Sequence, residues 1–119
     1  MKLAIVGSRN FKDYERFCIE VEIALKEWDV TDIEIISGGA DGADALAERY
    51  SREVLQREPV VFPADWNKYG KSAGPKRNTQ IVDACTHMIA FPSHYGKGTQ
   101  DSVTKIQKAK KPHKVIFID

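Results

Sequence analysis

The residues able to do chemistry fall in four polar stretches that carry glycine. These are Gly7-Ser8-Arg9-Asn10-Phe11, Ser37-Gly38-Gly39-Ala40-Asp41-Gly42-Ala43-Asp44, residues 64–74, and Tyr95-Gly96-Lys97-Gly98-Thr99. Glycine ahead of a helix lets the backbone approach an anion and aim unpaired N–H groups at it. Gly96, Gly98 and the Thr99 hydroxyl suit a phosphate, with Lys97 as a nearby cation. Arg9 offers a planar fork matched to phosphate oxygens. Arg77 and Asn78, in the first turn after Pro75, are expected to reach the same cleft. Gly38 and Gly39 read as a wall beside a sugar or second phosphate, flanked by Gly7, Ser8 and Ser37. Trp66 and Tyr69 stand among Lys68, Lys71 and Lys76, where they can stack a base. The alternative for Trp66 is a lid folded back over the core.

Carboxylates are sparse in these stretches. Asp44 and Asp65 are the candidate catalytic acids; Asp41 or Asp44 equally suits a helix cap or a partner for ribose hydroxyls. Of three histidines only His94, directly ahead of Tyr95 in the fourth loop, is a site candidate, while His87 and His113 begin apolar runs. The two cysteines, Cys18 and Cys85, have no zinc-type spacing, so neither a metal nor a cofactor is expected. No GxxxxGK[ST] occurs and no GxGxxG follows the first apolar run, which speaks against P-loop hydrolysis and the common dinucleotide fingerprint.

The stretches are positioned by alternating elements. Leu3–Val6, Ile33–Ile36, Val60–Phe62, Met88–Phe91 and Val115–Ile118 are short apolar runs of strand length. Between them, Tyr14, Phe17, Cys18, Val21, Ala24, Leu25 and Trp28 mark one face of a helix, and Ala43 to Val54 a second. The stretch 64–75 has no period and reads as a loop. Pro75 then opens a helix carrying Ile81, Val82 and Cys85 inward, and Thr99 is placed to cap the last, through Ala109. Such alternation predicts an α/β fold: a Rossmann-like three-layer sandwich with a parallel sheet of about five strands and four main helices. Ligands of such sheets bind beyond the carboxyl ends of the strands, where the polar stretches fall.

At 119 residues the chain is expected to form one domain spanning 1–119. Its hydrophobic and charged fractions, 42% and 29%, are those of a globular protein. No apolar run approaches the roughly 18 residues that span a bilayer, and the start reads as no signal peptide, so a cytoplasmic protein without membrane partners is expected. A net charge of +1 argues against bulk attraction to DNA. Its distribution is uneven: eight Lys/Arg face thirteen Asp/Glu in residues 1–59, and ten face four in 60–119.

Five ordered segments together resemble the YspA-related (YAcAr) branch of the SLOG superfamily, named for the Smf/DprA and LOG proteins. They are Gly7-Ser8-Arg9-x-Phe11, Ser37-Gly38-Gly39-Ala40-x-Gly42-Ala43-Asp44, Pro63-Ala64-Asp65-Trp66, Gly74-Pro75-x-Arg77-Asn78 and Gly98-Thr99. The resemblance implies a Rossmann-like fold and a site for nucleotides or nucleotide-derived ligands, in a branch with phage and mobile-element members. Enzymatic LOG proteins carry PGGxGTxxE where this chain has His94 to Ser102; two glycines and the threonine match, but the glutamate is Ser102. A carboxylate there stabilises the charge that builds on ribose as an N-glycosidic bond breaks; a serine does not. The first expectation is therefore a sensor or carrier of a nucleoside monophosphate, ADP-ribose or similar signal. The alternatives are a LOG-type phosphoribohydrolase with a displaced acid, and nucleic-acid binding of the DprA kind. A homodimer is expected from the resemblance as well.

Overall fold

In the computed structural model, which describes residues 1–96 and 98–119, strand β1 (Lys2–Gly7) is the middle of a five-stranded sheet. Strands β2 (Glu34–Ser37), β3 (Val60–Val61), β4 (His87–Phe91) and β5 (His113–Val115) complete it in the order β3-β2-β1-β4-β5, all parallel. Parallel neighbours need crossovers, and helices supply them. They are α1 (Tyr14–Trp28), α2 (Ala43–Tyr50), the single turn α3 (Trp66–Tyr69), α4 (Ala73–Ala84) and α5 (Gln100–Lys108). The expected α/β sandwich with five parallel strands and four main helices is thus the observed one.

Alternation along β1 explains the layers. Leu3 and Ile5 point to one face, where Phe17, Val21 and Ala24 of α1 and Ala43 and Ala47 of α2 bury them. Ala4 and Val6 point to the other, against Ile81 and Val82 of α4 and Val103 and Ile106 of α5. Being covered on both faces, the central strands are apolar throughout, as their unbroken runs require. The Asp13 carboxylate accepts from the Arg16 N–H at 3.1 Å and starts α1.

Four boundaries differ from the sequence expectations. The stretch 64–75 holds α3, a 3₁₀ turn over Gly70–Ser72 and the start of α4, so Pro75 is the third residue of its helix. These turns are made by local bonds, Asp65 Oδ1 accepting from Lys68 N–H and Ser72 Oγ donating to Tyr69 C=O, and are too short to show a period. Second, α2 ends at Tyr50, and a π turn over Ser51–Leu55 leaves Val54 exposed. Third, β5 pairs over 113–115 rather than 115–118; its continuation keeps only alternate bonds, Ile116 N–H to Ala90 C=O and Ile118 N–H to Pro92 C=O. Fourth, Thr99 precedes α5 but its side chain caps no helix amide. Among the described residues no helix is long and apolar enough to cross a membrane.

Candidate functional site

β1 and β2 are neighbours whose following helices lie on one face, while β4 feeds α5 on the other. The chain therefore diverges above β1 and β4, and the gap is a cleft of about 320 Å³. Gly7, Ser8 and Arg9 form its floor and one side, and Gly96, Gly98 and Thr99 the opposite side at the start of α5. Asp44 of α2 and Arg77 and Asn78 of α4 also line it. This volume is at the lower end of the range for small-molecule sites.

The floor is fixed by backbone bonds. Ser8 N–H donates to Phe91 C=O at 2.9 Å, and Ser8 C=O accepts from Ala43 N–H at 3.1 Å. Two glycines permit this approach. A Cβ on Gly7 would lie 2.6 Å from Phe91 O, and one on Gly42 2.2 Å from Ser8 O. Gly42 also has φ +73°, which L side chains rarely adopt. The sequence reading had no role for Gly42; its signal was a glycine immediately before a helix.

Charges are arranged around that floor. Arg77 donates from NH1 to Gly38 C=O at 2.6 Å and from Nε to Asn78 Oδ1 at 3.0 Å. Asn78 Nδ2 donates to Asp101 Oδ2 at 3.1 Å, and Lys105 Nζ to the same oxygen at 2.7 Å. Burial works against the Asp101 charge, yet the hydrogen bonds from Lys105 and Asn78 hold its carboxyl below the ordinary value. Asp101 is thereby turned to α4, and Ser102, 2% exposed, faces the cleft at the position of the LOG glutamate. Arg9, by contrast, has no ion-pair partner among the described residues and is exposed at the rim.

Asp44 is the buried acid. It is 5% exposed, and its Oδ2 accepts from Ala40 N–H at 3.2 Å. Burial pushes its pKa up to about 6, against the pull of the Ala40 amide and the Arg77 guanidinium. The residue preceding α2 as its cap is Gly42, without a side chain, so neither Asp41 nor Asp44 caps by side chain as one reading expected.

A second hollow of about 280 Å³ adjoins the first and shares Arg9, Ala40 and Arg77 with it. Gly38, Gly39, Asp41 and the half-exposed Trp66 line it. Trp66 is therefore not a closed lid on the core. Asp65 lies elsewhere, capping α3 and facing a third hollow with Lys68, Tyr69 and Lys76. Both lysines sit about 5 Å over the Tyr69 ring, Lys68 Nζ at 5.0 Å and Lys76 Nζ at 4.9 Å. Ser37 faces inward: its hydroxyl donates to Glu48 Oε2 at 2.9 Å and accepts from Gly39 N–H at 3.1 Å. His94 is turned away to Asp119 and Phe117. Lys97 lies outside the described residues. Ser93, Ala40 and Ser102 line the cleft without having been singled out as ligand residues; for Ser93 the only signal was a hydroxyl just past a strand end.

A five-stranded parallel sheet of this order, with a cleft carrying Ser8, Arg9, Arg77 and Thr99 over its carboxyl edge, defines a Rossmann-like domain. The chain belongs to the YspA, cpYpsA-related SLOG family (YAcAr), whose profile matches residues 1–69. SLOG domains bind nucleotide-derived ligands. The chain is 32% identical over 115 residues to the Gene 61 protein of Mycobacterium phage D29, covering 91% of this chain and 90% of that protein. Its fold is similar to that of DNA processing protein A from Helicobacter pylori, a structure described for its single-stranded DNA binding mode. The TM-score is 0.66 at 20% identity, over 97% of this chain and 64% of the other.

Proposed function

We propose that the protein binds a small nucleotide-derived ligand of the nucleoside monophosphate or ADP-ribose kind, as a sensor or carrier. The observation that carries this reading is the convergence on one cleft of the α5 N-terminus, with Gly96, Gly98 and Thr99, and of Arg9, which has no ion-pair partner among the described residues. Helix amides and an arginine fork favour an anion of phosphate geometry. The adjoining hollow under Trp66 takes the sugar and base, with Gly38 and Gly39 as its wall. A thermal-shift series with AMP, ADP-ribose and inorganic phosphate tests this reading; the unfolding midpoint rises with ligand concentration if the cleft binds. No shift with any of the three would reject it. A steeply salt-dependent affinity for oligonucleotides would favour nucleic acid instead.

One feature supports a second reading, that of a hydrolase. Asp44 is a buried carboxyl in the cleft whose pKa of about 6 suits proton transfer near neutrality. It would replace the acid missing at Ser102. Release of free base from AMP, abolished by Asp44→Asn, is the outcome this reading requires. Asp65, the other acid of interest, has no access to the same cleft; turnover is expected to survive Asp65→Ala.

A further inference from the structure

Chain past the last paired residue of β5 keeps alternate backbone bonds, to Ala90 and Pro92, and reaches the loop that follows β4. Arg16 of α1 donates from NH1 to Ile118 C=O at 2.9 Å and from NH2 to Phe117 C=O at 2.8 Å. The same guanidinium lies 6.0 Å over the ring of Phe11, at the end of the first site stretch. At the other end the Asp119 carboxylate collects three donors from Ser93 and His94, just ahead of the fourth stretch. Ser93 Oγ–H donates to Oδ2 at 2.5 Å, and His94 N–H to Oδ1 at 2.9 Å. His94 Nδ1 lies 2.8 Å from Oδ1, and its ring stacks on Phe117 with centroids 4.0 Å apart. The Ser93 hydroxyl in turn accepts from Tyr95 N–H at 3.2 Å, and Ser93 C=O accepts from Gly96 N–H at 3.3 Å.

We propose that Asp119 is a positioning residue for the ligand cleft: its carboxylate clamps Ser93 and His94 and so sets the path of the loop that presents Gly96, Gly98 and Thr99. Ser93 and Gly96 line the cleft, whereas Asp119 does not, so its effect on a ligand passes through the loop. Among the described residues the backbone N–H groups of Tyr95 and Gly96 bond only to Ser93, so the clamp on Ser93 carries through to them. Ordering such a loop before the ligand arrives removes an entropic cost that binding would otherwise carry. The carboxylate is held ionised by the His94 amide and the Ser93 hydroxyl, with a pKa of about 2, which keeps the clamp intact across the ordinary pH range.

This proposal rests on the cleft being the ligand site, and the test separates the two. Full-length wild type, Asp119→Ala and Asp119→Asn are compared by amide hydrogen exchange at His94, Tyr95 and Gly96 and by calorimetric titration with AMP and, in parallel, inorganic phosphate. In Asp119→Ala the three amides are expected to exchange about tenfold faster and AMP to bind about tenfold more weakly, with the unfolding midpoint unmoved within about 2 °C. Asp119→Asn keeps an acceptor for His94 N–H and falls between. A merely structural role would move the midpoint, not the affinity at constant midpoint. Unchanged AMP affinity in Asp119→Ala, whether or not the amides respond, overturns the positioning role while leaving the cleft as the ligand site. Failure of wild type to bind either probe overturns both.

Discussion

Two glycine-bearing loops, one reaching the cleft through Ala40 and the other through Gly96 and Gly98, use their glycines for opposite purposes. In the loop between β2 and α2, glycine is demanded by neighbours: Gly42 is pressed against Ser8 and Arg9 backbone, and Gly38 against Arg77 and the Asp44 carboxylate. In the loop between β4 and α5, a Cβ on Gly96 would come no closer than 3.9 Å to Ser93, and one on Gly98 would meet nothing within 4 Å. The first loop is glycine-rich because the protein fills the space. In the second, no described atom beyond the chain neighbours crowds Gly96 or Gly98 within 3.9 Å. A count of glycines cannot tell these apart; the atoms opposite them can.

The largest expected effect tests the crowded loop. Gly42→Ala is expected to destabilise by about 3 kcal/mol, from a backbone clash and an unfavourable positive φ together, read by urea unfolding. A loss below about 1 kcal/mol would erase the contrast drawn between the loops.

Next is Asp44, whose carboxyl sits behind Gly38. Its folded pKa, about 6, lies above the ordinary aspartate value of 3.8, so the folded state holds its proton more tightly. Its contribution is therefore full below pH 4 and is lost as pH rises through about 6, leaving a cost of up to about 3 kcal/mol above that. Asp44→Asn is expected to gain stability at pH 8 relative to wild type and little at pH 4. Denaturant midpoints across that range check it, and equal differences at both ends would contradict the assignment.

Smaller effects belong to the open side. Arg9→Ala removes a guanidinium that has no ion-pair partner among the described residues, so AMP affinity is expected to fall about tenfold with no change in the unfolding midpoint. Arg77→Ala, which breaks bonds to Gly38 and Asn78, is expected to lower both, and that difference sharpens the division between a ligand-facing and a structural cation. Smallest of all, Gly98→Ala is expected to alter stability by no more than about 0.5 kcal/mol, because the new methyl meets no described atom beyond its chain neighbours within 4 Å. A drop in AMP affinity in that variant, seen by titration, would mark the space as the ligand's.

The sequence by itself determined the architecture, because unbroken apolar runs of strand length alternating with amphipathic helices admit few arrangements other than a doubly covered parallel sheet. It also placed Ser8, Arg9, Arg77, Asn78 and Thr99 at one edge, since residues after parallel strands must emerge there. Tertiary structure alone decided which polar groups remain available. Ser37 is consumed by Glu48 and Gly39, Asp65 by the start of α3, and Asp101 by Asn78 and Lys105, whereas Arg9 has no ion-pair partner among the described residues and Asp44 is stripped of water. Only the folded chain brings Asp119 to Ser93 and His94. The physical reason is range: periodicity reports what each residue does within its own element, while burial and hydrogen-bond partners are set by residues up to a hundred positions away.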